Sequence, residues 1–551
     1  MRRILILSLV ALVPFWLKPL DPPHDVSFQL QAGYDLAKHG TLYHQWTGEW
    51  PLELSRERLS APYDKVWLKG WPPGFSLLVA AGVLLGNPVL WIKAVFTLMF
   101  VFGWCGWFLI ARQLAEDARF RLPGAIVEMF PFLPLLVAIE SMGIFPRLVI
   151  SLTDWMVFLL VPFWYLNARR YAASGSLRAL ILALVLAGVA FHIKFTAAFL
   201  FIALGFLVLS RLAACPRRLN GVRDLFVCLA TVGIVWLPLM MMPGKNRAEA
   251  GSFADFFGNI RENLPFTVQE MVKYVYYDLL QASGLGSIAY SAGYHVPIFH
   301  QAGRAAFLGL VVFLLVSGFK HLRQWKGPGG IDDDSKTQLA AVGGLFLFLS
   351  FVTALSGRHV SSVIGPWSYL REYRYVLPVT LFVFFNFWRW LLAAAPGFKH
   401  LLRLAIILAA VQSVFNQAVP LAPALAAHGL RDGMSLYSRE DYAIQGAMVG
   451  ARDLVSGRHP GLKVICFRFE IDRGFDRYGP LLGYELRKEI VGRPFNAEDP
   501  IIVLLAIPTE RSPKAVIAPR IDLSRYRRLE GNGAADHEFY YRIEGPGTFN
   551  I

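Results

Sequence analysis

The feature that most constrains this chain is the recurrence of long apolar runs that carry few or no charges. Val89–Ile110, Leu177–Phe191, Phe195–Leu209, Leu225–Met241, Leu339–Leu355 and Tyr375–Ala394 are examples. A helix needs about 20 apolar residues to cross a hydrocarbon core about 30 Å thick. Inside lipid every backbone polar group must be satisfied within the protein, which an α-helix does by itself. Over 551 residues, 55% are hydrophobic and 17% charged, too apolar a balance for one soluble core. The predicted fold class is an all-α polytopic membrane protein.

Lys and Arg collect in the short segments between these runs, as the positive-inside bias produces. That bias accounts for the net charge of +15, so no nucleic-acid partner is expected. The four cysteines show no metal-ligand spacing and no disulfide framework. Met1-Arg-Arg before an apolar run resembles a signal peptide, but no small-residue cleavage site precedes Asp21, so Ile4–Leu20 is read as a retained first span. The first outer loop, 21–74, then lies outside.

Phe75–Leu85 is too short to cross and is broken by Gly86-Asn87-Pro88, so it is predicted to be re-entrant or interfacial. Val89–Ile110 then runs inward and places Arg112, Arg119 and Arg121 inside. The remaining runs alternate: Gly124–Ile139 out, Trp155–Leu166 in, Leu177–Phe191 out, Phe195–Leu209 in, Leu225–Met241 out, Ala305–Val316 in, Leu339–Leu355 out, Tyr375–Ala394 in and Leu404–Val419 out. This gives about eleven spans over 1–420, with the basic clusters on one side. From 421 to 551 charges become frequent and strand-like runs such as Lys463–Phe469 and Ile501–Ile507 appear. That region is predicted to be a small soluble α/β domain on the outer, extracytoplasmic face. The expected location is a multi-pass protein of a bacterial inner membrane.

Four outer segments carry candidate chemistry. Asp25 follows Pro22, Pro23 and His24 and opens a helical pattern through Phe28, Leu30, Tyr34 and Ala37. A carboxylate there either caps the helix or serves as a proton acceptor. Asp154 stands at the outer start of an apolar run, where an N-cap is the plainer reading. His192 and Lys194 interrupt a helical hairpin on the outer side, and a tight turn explains polarity there but not a lysine against the charge bias. Arg358, His359, Arg371, Arg374 and Tyr375 cluster at the mouth of a late span, as snorkelling side chains or as a phosphate clamp.

In this order the segments resemble the GT-C superfamily of membrane glycosyltransferases, the branch containing protein O-mannosyltransferases and the aminoarabinose transferases of lipid A. The likeness rests on Asp25 with the stretch Ala32–Tyr43, Trp71-Pro-Pro-Gly-Phe75, Leu152-Thr-Asp154, Phe191-His-Ile-Lys194 and Arg374-Tyr375-Val-Leu-Pro378. It covers roughly the first 400 residues. Many relatives carry Asp-Glu in the first loop where this chain has Asp25-Val26, and the Trp-Trp-Asp signature of oligosaccharyltransferases is absent.

The resemblance implies inverting transfer of a sugar from a polyprenyl-phosphate donor to a hydroxyl of a glycan, lipid or protein acceptor at the outer face. Asp25 would be the general base. Asp154, Lys194, Arg358, Arg371, Arg374, Tyr375, His24 and Trp71 would bind substrate, Lys194 and the arginines stabilising the leaving phosphate. No cofactor is required by this scheme, although Asp25, His24, Asp154 and His192 are a possible divalent-metal set. The alternative is a transporter or flippase of lipid-linked sugars. Transporters place polar groups near the bilayer midplane, whereas here they cluster at span ends.

Overall fold

Proline and charge set where the helices of this chain begin and end. The computed structural model describes residues 2–17, 20, 24–45, 53–54, 65–68, 72–116, 152–214, 218–240, 261, 333–356, 377–379, 381–382, 439–468, 484–485, 494–510, 521–530 and 537–551. The chain divides into two compact units, Met1–Phe15 with Lys93–Ala427, and Trp16–Ile92 with His428–Ile551.

The first unit is helical. Its elements are α1 (Arg2–Leu17), α4 (Pro88–Glu116), α5 (Leu152–Ser174), α6 (Leu177–Ile193), α7 (Ala198–Ala214), α8 (Arg218–Met240) and α9 (Asp333–Ser356). α1 ends at Leu17, and Lys18 and Pro19 of the predicted run to Leu20 fall outside the described residues. α4 and α5 run in the same direction. Gly103 meets Leu159, Gly106 meets Pro162, and further along the Arg169 guanidinium donates to Gln113 Oε1 at 2.8 Å. A Cβ on Gly103 would come within 2.7 Å of Leu159 Cβ, so the close approach depends on glycine. α6 returns against α5 and α7 turns back again. α9 packs on α7 through Gly344, where a Cβ would lie 2.8 Å from the Phe199 carbonyl oxygen.

These directions sort the side chains into two ends. Asp154 opens α5 at one end, where Lys194 closes α6. Arg169, Arg211, Arg223, Asp224 and Asp334 lie at the other, joined by contacts from Tyr165 and Tyr171. The seventeen residue-to-residue steps of α5 from Asp154 to Tyr171 amount to about 26 Å at 1.5 Å per step. α1 ends where α4 begins: the Phe15 and Phe96 rings lie 4.9 Å apart and Lys93 Nζ donates to the Phe15 carbonyl at 2.7 Å. The chain therefore leaves this unit at Phe15 and re-enters it at Lys93 on the same end.

Among the described residues three helical segments are long and apolar enough to cross a membrane: Pro88–Gln113, Phe195–Ala213 and Leu219–Leu237. Among the described residues there are ten α-helices, fewer than the eleven spans expected. Gly124–Ile139, Ala305–Val316, Leu404–Val419 and most of Tyr375–Ala394 fall outside the described residues. Within the last, Leu377–Val379 is a 3₁₀ turn, and Phe382 packs at 5.2 Å from the Trp107 ring and 4.8 Å from the Tyr165 ring.

The second unit combines α2 (His24–His39) and α3 (Gly74–Leu84) with the strands. α2 and α3 touch at Gly33, whose Cβ would stand 2.5 Å from the Ser76 carbonyl oxygen. The buried Ser76 hydroxyl donates to the Gln29 carbonyl at 2.8 Å. The 11 residues of α3 rise about 16 Å. β1 (Tyr43–Gln45) pairs antiparallel with β3 (Lys65–Trp67).

The carboxyl-terminal region holds β4 (Lys463–Arg468), β5 (Tyr484–Glu485), β7 (Ile501–Pro508), β8 (Arg527–Arg528) and β9 (His537–Glu544) in the sheet order β5-β4-β7-β9-β8. β7 reads IIVLLAIP because both its faces are buried. Helix α10 (Arg439–Arg458) covers one face with Met448, Ala451 and Val455 against Ile502 and Leu504. On the other, Ile501, Val503 and Leu505 meet Phe495 and Phe549 from β6 (Pro494–Ala497) and β10 (Gly547–Asn550). β2 (Glu53–Leu54) adds to β6 in parallel, Glu53 opposite Asn496. A strand from the first loop thus completes a sheet whose other two strands come from the carboxyl-terminal region.

Candidate functional site

Asp154 lies in the first turn of α5 and its side chain is 2% exposed. It is not an N-cap: the helix already begins at Leu152, and its carboxylate turns to a neighbouring helix. Lys194 Nζ meets Asp154 Oδ1 at 2.5 Å, with the lysine 18% exposed. The lysine that ran against the charge bias is thereby explained by a buried counter-ion. Asp154 Oδ2 is buried and has no hydrogen-bond partner among the described residues. A carboxylate oxygen left so is costly, and it can take a hydroxyl or N–H donor.

Local structure places Lys194 there. α6 ends with Lys194 in an extended conformation, φ −153° and ψ 131°, and a 3₁₀ turn follows at Phe195–Ala197 before α7. The Lys194 N–H closes on the Ala190 carbonyl at 2.9 Å, and its own carbonyl accepts from Ala197 N–H at 3.0 Å. Aromatic rings flank the turn. Phe191 stacks on Trp236 at 5.2 Å, meets Phe195 at 5.3 Å and stands edge-on to the His192 ring at 5.9 Å.

α5 reaches this position past Pro162, which cannot donate to the Phe158 carbonyl one turn earlier. The Trp107 indole N–H from α4 fills that vacancy at 3.1 Å. At the opposite end Tyr165 donates to Asp334 Oδ1 at 2.6 Å, Gln338 donates to the Tyr165 hydroxyl at 3.1 Å, and Arg169 pairs with Asp334 at 2.7 Å. Tyr171 donates to the buried Asp224 at 2.9 Å, which Arg223 also holds at 2.8 Å. These contacts tie α4, α5, α8 and α9 together at the arginine end.

Of the predicted site residues, the structure brings Asp154 and Lys194 together. Asp25 and His24 lie in the first turn of α2, with side chains outside the described part. Trp71, Arg358, Arg371, Arg374 and Tyr375 fall outside the described residues. Asp35 is structural: it accepts from the Thr41 hydroxyl at 2.5 Å and meets His39 Nδ1 at 2.9 Å, closing the end of α2. Among the described residues no three His, Cys, Asp or Glu side chains are grouped to hold a metal ion. Sequence reasoning missed Lys93, which is fully buried. The signal was present, since Lys93 is the lone charge inside the run Val89–Ile110. Comparison with protein-family models, with curated proteins and with solved structures finds no match for this chain.

Proposed function

We propose that this chain transfers a sugar from a polyprenyl-phosphate donor to an acceptor hydroxyl at the outer face of a bacterial inner membrane. The observation that carries the reading is the Asp154–Lys194 pair, buried at the end of the helical unit opposite Arg169, Arg211 and Arg223. If the arginine end faces the cytoplasm, the pair lies on the outer side with the first loop. The return of the chain to the same end between Phe15 and Lys93 supports a re-entrant or interfacial α3 in a protein of about eleven spans.

In this reading the acceptor hydroxyl attacks the anomeric carbon, the bond from that carbon to the phosphate oxygen breaks, and the hydroxyl proton passes to the Asp25 carboxylate. One displacement inverts the configuration. The polyprenyl phosphate departs with added negative charge, which Lys194, Arg358, Arg371 and Arg374 stabilise. Asp154 orients Lys194. Tyr375, His24 and Trp71 line the substrate path.

A flippase is the second reading. It is disfavoured because the middle turns of α4 to α9 carry no charged side chain, while their charges lie within two turns of the helix ends. In a strain lacking this chain, mass spectrometry should find a glycan short of one sugar and the matching polyprenyl-phosphate sugar accumulated. Purified protein given that lipid and the acceptor should release free polyprenyl phosphate. A protein that moves the lipid across vesicle bilayers and leaves it intact is a flippase, and sugar transfer falls.

A further inference from the structure

The arginines at the end of the helical unit opposite Asp154 differ in their partners. Arg169 pairs with Asp334 and Arg223 with Asp224. Arg170, Arg178 and Arg211 pair with no carboxylate among the described residues. All three border the reversal from α5 to α6. Arg170 and Arg178 are exposed, one before it and one after. Arg211 of α7 lies against it, its guanidinium 5.6 Å from the Tyr171 ring centroid and one N–H donating to the Tyr171 carbonyl at 3.4 Å. Gly175, at φ +66°, leaves room for that guanidinium, into which a Cβ would run. A guanidinium has five N–H donors, so most of those on Arg211 remain to be met. Uncompensated cations around one turn repel one another and favour an anion between them.

The neighbouring surface selects the kind of anion. On α6, Arg178, Ile181, Leu182, Val185 and Val189 follow at spacings of three and four residues, which puts them on one face. The four apolar members are exposed, whereas Ala179, Ala183 and Ala187 are buried. The eleven steps from Arg178 to Val189 rise about 16 Å at 1.5 Å each. Half of a hydrocarbon core about 30 Å thick is about 15 Å. A cationic cluster thus stands at the foot of an apolar stripe one leaflet deep. A soluble phosphate ester would leave the stripe bare, and a neutral lipid would leave the arginines unmet.

We infer that Arg170, Arg178 and Arg211 hold the headgroup of an anionic phospholipid whose acyl chain lies along the exposed stripe of α6. This site is at the other end of the unit from Asp154 and Lys194, and it does not depend on sugar transfer.

The full chain in detergent, titrated with short-chain lipids and followed by native mass spectrometry, tests it. Dioctanoyl phosphatidylglycerol should bind about tenfold more tightly than dioctanoyl phosphatidylcholine. The side chains of Arg170 and Arg178 make no hydrogen bond or ion pair among the described residues, so Arg170→Gln with Arg178→Gln should keep the unfolding temperature. Affinity for the phosphatidylglycerol should fall about tenfold or more in that variant, and it should also fall in Arg211→Gln. Arg119→Gln with Arg121→Gln makes the same charge change in a loop predicted on the same side, and should leave the affinity unchanged. Equal affinity of the parent for the two lipids overturns the inference. So does an equal loss in the Arg119 and Arg121 variant, which would make the effect one of net charge. Binding of glycerophosphoglycerol, which has the headgroup and no acyl chain, as tightly as the lipid would make the occupant a soluble phosphate ester and also overturn it.

Discussion

A buried carboxylate is tolerated only with a partner, and Asp154 has Lys194 on one oxygen. Removing one member of such a pair leaves an uncompensated charge and costs about 3–5 kcal/mol. Asp154→Asn and Lys194→Met should each destabilise the protein on this scale, and the double variant should lose less than their sum. Unfolding of the four proteins in one detergent checks this; strict additivity would mean that the pair is not coupled. Asp25→Asn keeps the shape of the residue and removes the proton acceptor, so turnover should fall about 10²–10⁴-fold with donor binding and expression kept. Full activity in that variant returns Asp25 to a role in the α2 start. In the carboxyl-terminal region, burial pushes the Tyr526 phenol up to about 12, and its hydroxyl has no hydrogen-bond partner among the described residues. The folded state therefore holds that proton more tightly than the unfolded state, whose phenol titrates near 10. This contribution is complete below pH 10 and is lost as pH rises toward 12. Tyr526→Phe should match or exceed the parent in stability at pH 7 and fall less steeply between pH 10 and 12, measured by denaturant midpoints across pH.

At the scale of the element, α5 shows how a proline inside a helix is accommodated. Pro162 frees the Phe158 carbonyl, and Trp107 of α4 satisfies it while its ring stacks on Phe158 at 5.1 Å. Trp107→Phe keeps an aromatic ring and removes the donor, which should cost about 1–3 kcal/mol. Adding Pro162→Ala restores the in-helix N–H and should recover part of that loss, even though Gly106 packs against the proline ring. A second substitution that only adds to the damage would show that the ring contact, not the carbonyl, sets the cost. Asp154 lies on α5, so turnover measured alongside stability reports whether the helix start moves.

For the whole molecule the decisive quantity is sidedness. α4 and α5 run in the same direction, and Arg169 reaches Gln113, so Arg112 belongs with the arginine end rather than with Lys194. β3 carries Lys65, in the unit that also contains the carboxyl-terminal sheet. Lys65→Cys and a carboxyl-terminal tag should both be reached by membrane-impermeant reagents in intact cells. Protection at position 65 would place the first loop inside and remove the basis for an outer-face reaction.

Among the described residues, sequence alone located the long apolar helices and the central strand. Hydropathy located the apolar middles of α4 to α9, while the helix ends ran up to eight residues past the apolar runs, and the apolar run at Ile501 marked a central strand. These signals are written in neighbouring residues, so no partner is needed to read them. The arginine-rich loops likewise grouped Arg169, Arg211 and Arg223, which the helix directions place at one end. Tertiary structure alone decided which polar groups meet. Asp154 looked like a cap until the turn after α6 delivered Lys194 to it. Asp35 and Asp154 both lie within helices, yet one binds at its own helix end and the other the residue that closes a neighbouring helix. Lys93 was a lone charge in an apolar run until the α1 end came to it, and β2 of the first loop found its partner in β6, far along the chain. Such pairings depend on the register of helices and strands distant in sequence. The local pattern fixes each surface, and packing chooses which surfaces meet.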